Sequence, residues 1–222
     1  ASVIITILWY LNFSKLNSNT VISDILVDRH IKTEPIFNIG GPGLVSSVLI
    51  SQLLNDLCIP VSFYGMIGDD VVSKDILNLL YKTPLNISNL KSINDISSPF
   101  TVVLNDPKFN DGHGDRLFIH EPGILISEKY ELDESFFDAE INLYGGTALI
   151  PNIHNKLSEY LSKGCLKGNI NIVGTIYDFY SEKKNPGKIR EIGKDSWKDI
   201  NLFIADELEI SKYGGIDYLI SK

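Results

Sequence analysis

The chain predicts an α/β protein in which a mostly parallel sheet carries helices on both faces and a small antiparallel flap. Three observations predict it. From Ile141 onward, short apolar runs alternate with helical periods, with glycine or small polar turns between them. Over Pro42–Leu57 the apolar spacing changes to three and four, directly after Gly40-Gly41. Two strand pairs, near residues 20–37 and 97–120, are too polar for the centre of such a sheet. They fit a flap over the strand C-termini, where open α/β folds bind ligands.

The elements follow in order. Val3–Leu11, rich in Ile, Trp and Tyr, reads as a central strand buried on both faces. Asn17–Asn19 is a turn cluster, and Thr20–Val27 and Ile31–Phe37 read as two short strands with partial alternation. In the next helix Leu44, Val48, Leu49, Leu53 and Leu57 mark an inward face. Pro60–Tyr64 is a short strand. Asp69–Tyr81 is a second helix with Val72, Ile76, Leu79 and Leu80 inward and two carboxylates at its start, where they cap free N–H groups. Ser97–Asn105 and Asp115–His120 form an antiparallel pair around the turn-rich loop Asp106–Gly114. Ile141–Tyr144 is a strand ending at Gly145-Gly146, followed by the helix Pro151–Ser162 with proline at its start. Asn169–Val173 and Leu202–Ile204 are strands, Glu207–Tyr213 is a helix closed by Gly214-Gly215, and Ile216–Lys222 begins another.

Composition narrows the function. The 222 residues hold 44% hydrophobic and 22% charged side chains, enough for a real core in one large α/β domain or two small ones. A formal charge of −8 with no basic stripe argues against nucleic acid or an anionic membrane as partner. Cys58 and Cys165 lack CxxC spacing and are expected as buried free thiols in a reducing, cytoplasmic setting. Ser2–Leu11 is shorter than the roughly 20 residues a membrane span needs. It has neither a basic leader nor a small-residue cleavage site, so a buried first strand fits it better.

Motif chemistry excludes several classes. His30, His113, His120 and His154 show no HxH or HxxxH spacing, which removes a zinc site. No Gly-x-Ser-x-Gly elbow and no Walker-type loop occurs. Gly40–Gly43 lacks the third glycine of a dinucleotide fingerprint and does not follow the first buried strand. Alone, Gly40-Gly41 is a tight turn before a helix, and Gly65–Gly68 another; glycine there also lets a backbone approach a ligand closely. Together, some 25 residues apart and followed by Asp69-Asp70, they become specific.

At these residues the chain resembles the ribokinase-like (phosphofructokinase-B type) carbohydrate kinases, whose pattern is Gly-Gly-x-x-x-(Asn or Tyr)-x-(Ala or Ser), a helix, then Gly-x-(Val or Ile)-Gly-x-Asp-x-x-Gly. The likeness runs over essentially the whole chain. Gly114-Asp115-Arg116-Leu117-Phe118-Ile119 with Gly123 is similar to the family's Gly-x-Arg-Thr-Phe lid strand. Leu143-Tyr144-Gly145-Gly146-Thr147 stands at its strand-end glycines. Thr175–Tyr180 and Trp197 stand where it reads Asp-x-Asn-x-Arg and then Trp. Ala205-Asp206-Glu207-Leu208-Glu209 resembles its Asn-x-x-Glu segment. Departures are Val45 at a frequent sugar-contacting Asn, with Ser46-Ser47 retained as in some subfamilies, Ser73 at the last glycine, and Asp206 at the Asn. The aspartate near the end of the first strand is absent, with Asn12 the nearest polar candidate. These bear on the acceptor, not on the fold.

The resemblance implies a three-layer α/β/α ribokinase-like domain over residues 1–222, C-terminally incomplete, with an antiparallel lid from segments 13–37 and 98–121. It implies ATP-dependent phosphorylation of a hydroxymethyl group on a sugar or nucleoside, with ATP and Mg²⁺ as cofactors; the alternative is a non-catalytic sugar- or nucleotide-binding protein. Asn12, Gly40, Gly41, Ser46 and Arg116 would meet the substrate, and Arg116 reads equally as a lid salt-bridge former. Asp206 and Glu209 would serve the phosphates, Glu209 holding Mg²⁺ through water, or else form the acidic first turn that helix starts favour. Asp70 reads as a ligand contact or a helix cap. The family's general base lies in a Gly-Ala-Gly-Asp motif expected beyond Lys222, so no catalytic residue is named in this chain. Exposed strand edges on the flap suggest a homodimer through the lid.

Overall fold

The computed structural model describes residues 4–10, 36–106, 115–126, 130–174 and 192–212. In chain order the strands are β1 (Ile4–Tyr10), β2 (Ile36–Gly40), β3 (Ser62–Ile67), β4 (Asn86–Ser92), β5 (Phe100–Asp106), β6 (Asp115–Glu121), β7 (Ile141–Gly145), β8 (Ile170–Gly174) and β9 (Leu202–Ile204). The helices are α1 (Pro42–Leu54), α2 (Val71–Leu80), α3 (Pro151–Asn155), α4 (Leu157–Leu166) and α5 (Glu207–Lys212). Thr20–Val27, Asn17–Asn19 and Ile216–Lys222 lie outside the described residues.

The strands form a four-stranded sheet in the order β2-β1-β5-β6, the pair β3-β4 and the triplet β7-β8-β9. The last two are parallel throughout, as strand–helix alternation requires. β1 differs from expectation. It is flanked on both sides, but by flap strands: antiparallel to β2 and parallel to β5, while β5 and β6 pair antiparallel from Phe100↔Glu121 to Asp106↔Asp115. The apolar run identified a strand with two neighbours and said nothing of which neighbours.

Two buried clusters meet at β3, whose side chains alternate between them. Phe63 and Ile67 join Leu44, Ile76, Leu80 and Leu85, while Met66 joins Tyr144, Phe137, Leu161, Val173 and Trp197. β4 had no counterpart in the sequence reading, because its Asn-Ile-Ser-Asn-Leu-Lys-Ser is mostly polar and at most half-buried. The expected turn at Gly65–Gly68 is shifted: Gly65 to Ile67 are the end of β3, and only Gly68 follows it.

The inward face assigned to α1 needs correction. Leu44 is buried and Val48 packs against the core, but Leu49, Leu53 and Leu57 are 54%, 77% and 66% exposed. α1 is apolar on every side, so its period could not select the packed face. In α2, Ile76 and Leu80 are buried, while Leu79 is 37% exposed. The helix expected over Pro151–Ser162 divides at Lys156, whose φ of −102° and ψ of 7° leave the helical region. Both cysteines are free but exposed, contrary to expectation. Cys58 closes the turn after α1 at φ 55°, and Cys165 follows the inward residues Leu157, Tyr160, Leu161 and Gly164 by one step around α4.

A buried amide pair fixes how α4 lies on the sheet. Asn142 and Asn171 face each other in the β7–β8 register, and Asn171 Nδ2 donates to Leu161 O and Asp199 O, both at 2.9 Å. Gly164 lets the helix approach: a Cβ there would lie 2.6 Å from Asn171 Oδ1. Gly164→Ala is therefore expected to destabilise by about 1–2 kcal/mol, although alanine is the better helix former. A denaturation midpoint equal to or above the parent's would count against this packing. On the outer side of α4, Lys156, Lys163 and Lys167 pair with Glu131, Glu134 and Asp138, the last at 2.6 Å. Such solvent-screened pairs add little to stability.

Candidate functional site

The candidate site is built on the C-terminal edge of the β7-β8-β9 triplet. Register places Gly145 beside Gly174 and Gly174 beside Ile204, so all three strands end together. Gly146 N–H donates to Gly174 O at 2.7 Å and turns the chain left-handed at φ 65°. Against this edge lies the N-terminus of α1. The backbones are so close that a Cβ on Gly145 would lie 2.6 Å from Gly43 Cα and 3.0 Å from Gly43 N.

Two sequence features far apart in the chain, Gly40–Gly43 and Gly145-Gly146, thus form one floor. Gly40 is buried at the end of β2, opposite Ile4. Gly41 takes φ 86° at the start of α1, a conformation that favours glycine. Among the described residues no side chain caps α1 there, and Val45 N–H donates to Gly41 O at 3.0 Å. The positive end of the helix macrodipole and its first N–H groups therefore lie at the floor, where hydroxyl or phosphate oxygens are stabilised. Ser46 is half-buried in α1, and Ser47 Oγ donates to Gly43 O at 2.7 Å.

The remaining expected residues divide. Asn12 lies outside the described residues. Arg116 occupies β6 opposite Asn105 of β5. Asp206 and Glu209 follow β9 and hold each other: Asp206 N–H donates to Glu209 Oε2 at 3.0 Å, and Glu209 N–H to Asp206 Oδ1 at 2.8 Å. This reciprocal capping box fixes the start of α5. Their carboxylate oxygens are the hard donors Mg²⁺ takes. Among the described residues, no group of three or more His, Cys, Asp or Glu is placed to hold a metal ion.

Asp70 caps α2, its Oδ1 accepting Ser73 N–H at 2.9 Å, and its Oδ2 accepts Ser98 N–H at 2.8 Å. Partial burial raises its pKa, but the donors from Ser73 and Ser98 outweigh burial and leave it below the ordinary 3.8. A lowered folded-state pKa supplies stability above the unfolded value and loses it as pH falls through the folded one. The stability gap between the parent and Asp70→Asn is thus expected to narrow in acid below pH 3.8. Urea unfolding followed from neutral pH to about pH 2 checks this, and a constant gap would contradict it.

The sequence reading also missed a buried pair behind the floor, Thr147 Oγ1 and His154 Nδ1 at 3.1 Å. Thr147 directly after the paired glycines is the available signal; the spacing of His154 bears only on metal binding and does not reveal a hydroxyl partner. Ser98 was missed as well, although Ser97-Ser98-Pro99 before a strand marks a side-chain-supported turn.

No family model and no curated protein matches the sequence. Solved structures do match the fold. Ribokinase from Thermotoga maritima aligns with a TM-score of 0.64 at 16% identity, over 94% of this chain and 58% of that one. Arabidopsis thaliana ribokinase complexed with ribose and ATP gives 0.70 at 18% identity, over 96% of this chain and 61% of that one. The nucleoside kinase of Methanocaldococcus jannaschii, an archaeal ribokinase-family member, gives 0.62 at 14% identity, over 99% of this chain and 65% of that one. The chain spans roughly three fifths of the length of these proteins, and at such identities the likeness is one of fold.

Proposed function

We propose, for a chain with the ribokinase-like α/β fold, that it carries the acceptor side of an ATP-dependent kinase acting on the hydroxymethyl group of a sugar or nucleoside. The observation that carries this reading is the glycine floor, where the N-terminus of α1, with no described side chain capping it, is pressed on the strand end at Gly145-Gly146. A polyol at the start of α1 would meet the first backbone N–H groups of the helix beside Gly41, which carries no Cβ. Phosphoryl transfer is mostly positioning and charge neutralisation, and a preformed floor supplies the first. Asn12, Gly40, Gly41, Ser46 and Arg116 are the proposed acceptor contacts, with Arg116 coming from the β5–β6 hairpin that we read as a lid excluding water.

On the nucleotide side we assign Asp206 and Glu209. The capping box sets both carboxylates at the start of α5, beyond the end of β9. Mg²⁺, when bound, would neutralise phosphate charge there, with Glu209 holding it through water. The residue that takes the hydroxyl proton is not assigned within residues 1–222. A homodimer through the lid sheet fits its outer strands, β2 and β6; sedimentation as a monomer at micromolar concentration would count against it.

ADP release from ATP and Mg²⁺ against a panel of sugars and nucleosides tests the reading. Acceptor-dependent turnover is the expected result. A second reading, a non-catalytic sugar- or nucleotide-binding protein, is favoured by the Asp206–Glu209 pair, since each carboxylate already satisfies its neighbour's backbone. Ligands that raise the melting temperature while no panel member stimulates turnover would establish that second reading.

A further inference from the structure

The segment Ser97-Ser98 is gripped from three sides, at the two roots of the β5–β6 hairpin. From the end of β3, Gly68 donates its N–H to Ser98 Oγ at 2.9 Å. A Cβ on Gly68 would lie 2.2 Å from Ile96 O and 2.6 Å from Ser98 N. From the start of α2, Asp70 Oδ2 accepts Ser98 N–H at 2.8 Å. From beyond β6, Ile124 donates its N–H to Ser97 O at 3.0 Å. Gly123, at φ 47°, admits that approach, since a Cβ there would lie 2.4 Å from Ser97 O. Ser98 is fully buried. Two residues after it Phe100 opens β5; two before Gly123, Glu121 closes β6; and the two face each other in the ladder.

A carboxylate that serves only as a helix cap needs one oxygen. Asp70 divides its two, Oδ1 to the helix at Ser73 and Oδ2 to the hairpin root at Ser98. We propose that Asp70 is the pin of a hinge, a positioning residue that sets the angle at which the β5–β6 hairpin leaves β3 and α2. The grip is made of backbone groups, the Ser98 hydroxyl and one carboxylate, with glycines at the closest approaches. That the hairpin closes over a ligand rests on the kinase reading; the pin itself does not.

The test is Asp70→Ser in the full chain, read by amide hydrogen exchange. Serine still caps α2, but its single oxygen is too short to serve both donors. Amides of Phe100–Val103 and Ile119–Glu121 are expected to exchange about tenfold faster, while those of α2 stay within about twofold of the parent. Asp70→Asn, whose Oδ1 can still cap α2 while its NH2 faces the Ser98 N–H as a second donor, should loosen the same roots and carries the readout if Asp70→Ser does not fold. Unchanged exchange in the hairpin, or loosening of α2 as large as that of the hairpin, would overturn the pin. With an accepted substrate, Asp70→Ser should raise acceptor KM several-fold more than it lowers kcat. Absence of turnover in the parent would instead count against the kinase reading, and the exchange experiment would still decide the pin.

Discussion

Replacing Gly145 by alanine is expected to lower stability by about 3 kcal/mol and the melting temperature by roughly 6–12 °C. The new Cβ would meet Gly43 Cα at 2.6 Å and Gly43 N at 3.0 Å. Both are backbone atoms, so no rotamer change relieves the clash, and the N-terminus of α1 must move off the end of β7. The same displacement opens the floor, so any ligand-induced rise in melting temperature should shrink together with the stability. Gly168→Ala is the matched control. It has φ 82° but nothing within 4 Å of its would-be Cβ, so its cost is confined to the backbone, about 1 kcal/mol. Thermal unfolding of the two variants side by side decides the matter; equal losses would mean that the approach of Gly43 to Gly145 constrains nothing.

Phe137→Ala is expected to cost about 3–5 kcal/mol, the range for emptying a large aromatic site. Phe137 is 1% exposed. It meets Phe136 edge-on at a centroid distance of 5.3 Å and lies 6.1 Å from Tyr160, with Lys163 Nζ 4.7 Å over its ring. Phe136 in turn joins Tyr64 of β3 to Tyr144 of β7, at 5.2 and 5.3 Å, so loss of Phe137 undermines the contact between the two sheets. Phe137→Leu keeps most of the volume and should cost about 1–2 kcal/mol. Urea midpoints at an unchanged m-value would report both; a shift for alanine no larger than for leucine would show that the surroundings collapse into the space.

Gly145 and Phe137 also show how far the sequence was legible. Gly145-Gly146 at the end of an apolar run could be read as a strand end, because a short run closed by glycine is a local pattern. That Gly43, about a hundred residues earlier, fills the space left by the missing Cβ is a non-local fact. The sequence bounds of Leu202–Ile204 match the strand, and those of the β5–β6 pair differ by one residue at most except at Ser97, three residues before β5 starts, because turn residues and alternation are local too. α1 marks the opposite limit. Its existence was legible, yet an all-round apolar helix carries no period that says which side packs, so Leu49, Leu53 and Leu57 were placed inward and stand exposed. The cysteines failed for a related reason: residue type gives an average burial, while φ 55° at Cys58 and the helix phase at Cys165 set the actual one.

By itself the sequence determined the α/β class, the order of most elements and the two glycine clusters, because these depend on period, turn chemistry and backbone permissiveness over a few residues. Tertiary structure alone decided that β1 joins the flap strands, that Gly40–Gly43 and Gly145-Gly146 make one floor, and that Asp70 serves two masters through its two oxygens. Those outcomes depend on distances between segments far apart in the chain, and such distances are settled only when the whole core packs.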